Sequence, residues 1–93
     1  MQNNIIPRDK LEKVVSKLSG RIVTTNGAFD LFHVGHLKTL LFAKAQGDIL
    51  IVGINSDSSI KRYKSEKRPI ISQEERAEIV AAIGCVDYVT IFD

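Results

Sequence analysis

Apolar residues recur along the 93-residue chain in two alternating rhythms, one helical and one extended. In PRDKLEKVVSKLSG, the positions Leu11, Val14, Val15 and Leu18 fall at i, i+3, i+4 and i+7. That spacing predicts a helix over 7–19, opened by Pro7 and ended by Gly20. RIVTTN (21–26) is rich in β-branched residues and stops at Gly27, as a strand does. Helical spacing returns from Gly35 to Gln46, with Leu37, Leu40, Leu41 and Lys44 on one face and Gly47 as the stop. DILIVGIN (48–55) is almost continuously apolar, the pattern of a strand covered on both faces and hence of a parallel sheet. SDSSIKRYK reads as a short helix or loop. RPIISQEERAEIVAAIG then offers a capping box, Ser72 with Glu75, ahead of a helical run. VDYVTIF (86–92) is a third strand.

A helix followed by alternating strands and helices predicts a single α/β domain over 1–93, with its core over 21–93. The fold class is a Rossmann-like open parallel sheet with flanking helices. Ligands of such sheets bind beyond the carboxyl ends of the strands. If the first strand lies centrally, one of its sides has no partner in this sequence. An open apolar edge is normally covered, so the expected reading is a domain truncated after the third strand.

Composition narrows the classes. With 44% hydrophobic and 26% charged residues the chain is that of an ordinary globular protein. A net charge of +2 is too small to argue for nucleic acid or a membrane surface. One cysteine, Cys85, excludes an internal disulfide framework. The longest apolar run, ILIVGI, is far too short to span a bilayer, and no secretory signal opens the chain. The default compartment is the reducing cytoplasm.

Candidate chemistry concentrates in NGAFDLFHVGHLKTL (26–40), where the first strand gives way to a helix. Gly27 permits close backbone approach, and the amides of Gly27, Ala28 and Phe29 can face an anion. The helix N-terminus adds free N–H groups and a positive dipole end. His33 and His36, one turn apart, project to one side of it, and Gly35 between them leaves room for a phosphate. The same pair could ligate metal, act as base and helper, or lie idle on the surface. A zinc site, however, needs three or four ligands, and no further histidine is present. A second cluster, KRYKSEKRP, places Lys61, Arg62, Lys64, Lys67 and Arg68 after the next strand, on the same sheet edge. Its plain alternative is a solvated basic loop. Arg76 falls on the apolar face of the last helix with no obvious acidic partner there, so an incoming phosphate is its candidate ligand. Snorkelling past the core edge is the alternative.

GAFDLFHVGH resembles the G-x-F-D-x-x-H-x-G-H signature of the cytidylyltransferase-like nucleotidyltransferases, and RPIISQEERAEIVAAI resembles that family's E-R-x-x-x-[IV] segment. The likeness runs over 21–93. TNGAFD, GDILIVGINSD, KRPI and CVDYVTIFD are most similar to the heptose-1-phosphate adenylyltransferase branch of lipopolysaccharide-core synthesis, which usually has Cys where Ala28 stands.

The resemblance implies transfer of a nucleoside monophosphate from a nucleoside triphosphate to a phosphate monoester, with release of pyrophosphate. It assigns His33 and His36 to the nucleotide phosphates, Lys64 to a bridge between α-phosphate and acceptor phosphate, and Arg76 to the nucleotide phosphates. Asp30 would orient the site. Gly27, Ala28, Phe29, Gly35, Asn55 and Asp57 would complete the nucleotide contacts. ATP is the implied nucleotide, CTP the alternative, and Mg²⁺ would arrive with it rather than in a protein cage. The expected partners are the triphosphate and the monoester, with no nucleic acid and no membrane; homodimers are common in similar proteins. Cytidylyl transfer to glycerol 3-phosphate, choline phosphate or ethanolamine phosphate, adenylylation of FMN, and a non-catalytic nucleotide-binding module are the alternatives. Similar proteins continue to a C-terminal Ser/Thr-rich motif not found in this sequence, so weak turnover is expected of these residues alone.

Overall fold

The computed structural model describes residues 4–93. A 3₁₀ turn, Arg8–Lys10, leads into α1 (Leu11–Val15), followed by β1 (Ile22–Gly27), α2 (Val34–Ala45), β2 (Ile49–Asn55), α3 (Asp57–Tyr63), α4 (Gln73–Ala81) and β3 (Tyr88–Phe92). The three strands form one parallel sheet in the order β1-β2-β3. Ile22 is in register with Ile49, and Ile51 with Tyr88.

β2 is central, and its apolar run is buried through its five inner residues. Leu50, Val52 and Ile54 are each 0% exposed and form one core with Leu40 and Ala43 of α2, Val80 of α4 and Val89 of β3. Ile51 and Gly53, on the alternate face, lie against the N-terminal segment, where Arg8 and Leu11 line a cleft with them. Among the described residues, β1 makes ladder bonds on one side only. The outer edge of β3 is covered in a way the apolar pattern did not predict. Val89 donates to Asn4 O (2.9 Å) and accepts from the amide of Ile6 (2.8 Å), so residues 4–6 extend the sheet by one parallel bridge. No helix of the described residues is long and apolar enough to cross a membrane.

Three element readings need correction. The first helix does not run over 7–19: it is α-helical only at Leu11–Val15. The Ser16 hydroxyl donates to the Lys13 carbonyl (2.7 Å), and the chain tightens into i→i+3 bonds, Lys17 to Val14 and Leu18 to Val15. The buried face of α2 is set by Leu40 and Ala43, while Leu41 is 50% exposed and Phe42 71%. Small Ala43 lets the helix approach the sheet closely, and Lys44 turns to the sheet end, where it pairs with Asp87 (2.7 Å). β3 begins at Tyr88 rather than Val86, because the amide of Val86 is held in a turn by Ile83 O (3.0 Å).

Candidate active site

The β1–α2 connection is where the backbone departs from ordinary geometry. Phe29 (φ 53°) and Leu31 (φ 50°) both occupy the left-handed region, which disfavours side chains. Burial of Phe29, 6% exposed, offsets that cost, and its ring folds back over Gly27. A Cβ on Gly27 would stand 2.8 Å from the ring edge, which is why this position is glycine.

The two histidines cap α2 reciprocally. His33, the N-cap, accepts at Nδ1 from the Gly35 amide (3.0 Å), and its own amide donates to Nδ1 of His36 (3.1 Å). Both Nδ1 atoms are acceptors, so each neutral ring carries its proton on Nε2, directed away from the cap. Each imidazole is thus a hydrogen-bond donor without being a cation. The rings lie 4.0 Å apart, and His36 also meets Phe29 (5.5 Å) and Phe32 (5.3 Å). Burial, followed by the neighbouring His33 and Lys64, holds the His36 imidazole below the ordinary histidine range. The space expected at Gly35 for a phosphate is filled instead by the His33 ring, whose Cε1 would lie 2.7 Å from an added Cβ.

A cavity of about 670 Å³ opens at the carboxyl end of β1, bordered by α2 and α3. Its wall includes Gly27, Ala28, Phe29, Asp30, His36 and Lys64, all anticipated from the sequence. Lys64 is the C-cap of α3, so that helix delivers its ammonium to the mouth. Asp30 ties the β1–α2 turn to the approach to α4: its two oxygens accept from the amides of Ile70 and Ile71, each at 2.9 Å. Burial pushes the Asp30 carboxyl up, but those amides and the cations Arg68 and Arg76 outweigh it and hold the group below the usual aspartate range.

Arg76, Asn55 and Asp57 are brought together, but not in this wall. Arg76 was expected to lack a carboxylate and to await a phosphate. Instead it is 0% exposed and bound on every side. Its Nη2 pairs with Asp57 (2.7 Å), Nη1 donates to the carbonyls of Ala28 (2.6 Å) and Asn55 (2.8 Å), and Nε donates to Ile71 O (2.9 Å). The partner was invisible in the helix pattern because it comes from α3. A guanidinium so enclosed is a strut across the ends of β1 and β2. His33 stacks on His36 yet does not itself line the cavity.

Asn26, Thr39, Ile60, Ser65 and Arg68 line the cavity without having been singled out as site residues. Thr39 follows His36 by one helical step, a spacing that could have found it; its hydroxyl is bonded to Gly35 O (3.1 Å). Among the described residues no cluster of three or more His, Cys, Asp or Glu could hold a metal. Asp30, the carboxylate of the wall, already spends both oxygens on amides. Among the described residues, the wall therefore offers a divalent cation no unengaged carboxylate.

Comparison with known proteins identifies relatives of the chain. The family model for cytidylyltransferase-like proteins matches residues 24–93. The bifunctional protein HldE of Geobacter sulfurreducens is 62% identical over 73 residues, 78% of this chain and 15% of that protein. HldE of Helicobacter pylori strain G27 is 53% identical over 89 residues, 96% of this chain and 19% of that protein. The chain thus spans less than a fifth of the length of these relatives. The crystal structure of a lipopolysaccharide core biosynthesis protein from Thermoplasma volcanium GSS1 superposes with a TM-score of 0.74 at 28% identity, covering 81% of this chain and 60% of that one.

Proposed function

The chain belongs to the cytidylyltransferase-like family, and we propose that it contributes the site at which AMP passes from ATP to a sugar 1-phosphate of the heptose 1-phosphate kind, with release of pyrophosphate. One observation carries the reading. The neutral Nε2–H donor of His36, set on a helix N-terminus, shares a cavity with Lys64 and Arg68 and with no unengaged carboxylate. Such a wall suits polyanions and repels little of their charge.

The chemistry asks little of a base, because the acceptor oxygen is already anionic. That oxygen attacks the α-phosphorus, the new P–O bond forms, and the bond to the β-phosphate oxygen breaks as pyrophosphate departs. His33 and His36 donate to nucleotide phosphate oxygens, Lys64 bridges the α-phosphate and the acceptor phosphate, and the amides of Gly27 to Phe29 lend main-chain contacts. Asp30 and Arg76 fix the loops that hold these groups. Positioning and charge stabilisation supply the rate. The KRPI and CVDYVTIFD segments, similar to those of the heptose-1-phosphate adenylyltransferase branch, favour ATP and a sugar 1-phosphate over the CTP alternatives.

The test is pyrophosphate release with ATP or CTP across a panel of phosphate monoesters. Release with ATP and a heptose 1-phosphate, abolished in Lys64→Ala, is the expected result. Release only with CTP and glycerol 3-phosphate would move the assignment to a cytidylyltransferase, and no affinity for any nucleotide would overturn it.

A further inference from the structure

The cavity holds two cationic side chains, Lys64 and Arg68, while the other cations of the basic stretch, Lys61, Arg62 and Lys67, do not line it. The backbone explains the selection. The Arg68 amide donates to Ser65 O (3.2 Å), closing a turn that begins immediately after Lys64 and returns Arg68 to the same mouth. On the far side, Ile70 and Ile71 are pinned to Asp30. The main chain on both sides of Arg68 is therefore fixed against the cavity.

Its side chain is not. The side chain is 48% exposed, and its one ion pair among the described residues, Nη1 to Asp30 Oδ2, spans 3.6 Å, longer than a direct hydrogen bond. Asp30 has little left to offer it, both oxygens being occupied by amides. Arg68 is thus oriented by an attractive charge and remains unsaturated. Arg76 is the opposite case, 0% exposed with contacts at 2.6–2.9 Å. Of the two arginines near the site, the one free to meet a ligand is Arg68.

Nucleotidyl transfer brings two phosphates together, and their repulsion must be offset on both sides. His36, in the first turn of α2, and the Lys64–Arg68 turn both line the cavity, from different elements. A guanidinium fork matches the terminal oxygens of a monoester, which a lone ammonium cannot engage in two parallel bonds. We infer that Arg68 is the residue that grips the acceptor's phosphate, with Asp30 as the counter-charge that parks it when the site is empty. The inference rests on the nucleotidyl-transfer reading and names the acceptor-side residue within it.

The test is titration calorimetry of the full chain with mannose 1-phosphate and, separately, with ATP, comparing the wild type, Arg68→Gln and Arg68→Lys. Arg68 is exposed and makes no core contact, so both variants should keep the wild-type circular dichroism and melting temperature. Mannose 1-phosphate affinity should fall on the order of tenfold in Arg68→Gln. It should fall by less in Arg68→Lys, with ATP affinity changed by less than about twofold in either. A wild type that binds both ligands alongside an Arg68→Gln variant that keeps both affinities overturns the role of Arg68 and leaves the transfer reading standing. An equal loss for ATP and mannose 1-phosphate overturns the acceptor-side assignment. A wild type that binds neither overturns both.

Discussion

His36 receives at Nδ1 the backbone N–H of His33, 3.1 Å away, while His33 receives the Gly35 amide at its own Nδ1. One nitrogen of each ring holds the helix start and the other is left to donate. Structural and ligand-binding work are therefore divided between two atoms of the same side chain.

Asparagine separates the two. It can present an oxygen near the position of Nδ1 but has nothing at Nε2. His33→Asn and His36→Asn should keep most of the cap, which is worth about 1 kcal/mol, yet weaken ATP binding several-fold. The alanine variants should lose both. Thermal melts beside ATP titrations would decide; an asparagine variant that binds ATP like the wild type would remove the donor role.

Acid should open the same cap. The folded-state pKa of His36 is depressed, so the unfolded chain binds the proton more readily. Stability is then unaffected well above pH about 6.5 and is progressively lost as pH falls below it. Asp87 adds a second loss at lower pH. Burial raises its pKa, but Lys44 and the Leu50 amide hold it below the usual range, and the stability this confers disappears as the carboxylate protonates. Urea midpoints from pH 8 to 5 should decline, less steeply in His36→Asn. A flat profile would contradict the assignment of Nδ1 as acceptor.

Removing Arg76 should be severe. Arg76→Leu strips partners from Asp57 and from the carbonyls of Ala28 and Asn55, at a cost of about 3–5 kcal/mol. Asp57→Asn should cost less, since Asp57 is partly exposed. A double-mutant cycle in denaturant would show coupling between the two; additive losses would mean that the buried pair does not hold the strand ends together.

Thr90 offers the converse experiment. Its hydroxyl is buried and, among the described residues, has no hydrogen-bond partner. Thr90→Val replaces it with a methyl group of nearly the same shape and should raise stability by about 1 kcal/mol, some 4–8 °C in melting temperature for a domain of this size. A fall in melting temperature would indicate that the hydroxyl is solvated.

Asp30→Ala should free the amides of Ile70 and Ile71 and lower stability by about 2 kcal/mol. Amide hydrogen exchange at 70 and 71 should quicken while that of β2 stays slow. Unchanged exchange at those two positions would show that other contacts secure the loop.

Much of this was written in local pattern. The unbroken apolar run at 49–54 could only be a strand with both faces covered, and Ser72 with Glu75 announced α4, whose start the Ser72 hydroxyl indeed caps (3.3 Å to the Glu75 amide). The part of the cavity wall made by Gly27, Ala28, Phe29 and His36 followed from a glycine, a helix start and a histidine spacing, because helix termini and strand ends advertise their needs within a few residues. Pairings between distant elements were beyond that reach. Arg76 reads as an unpaired charge along its own helix, and only the fold brings Asp57, 19 residues earlier, to within 2.7 Å. Arg68 reads as one cation among several in a basic loop. Only the turn from Ser65 and the Asp30 clamp single it out, since a side chain's freedom depends on which neighbours have already been satisfied.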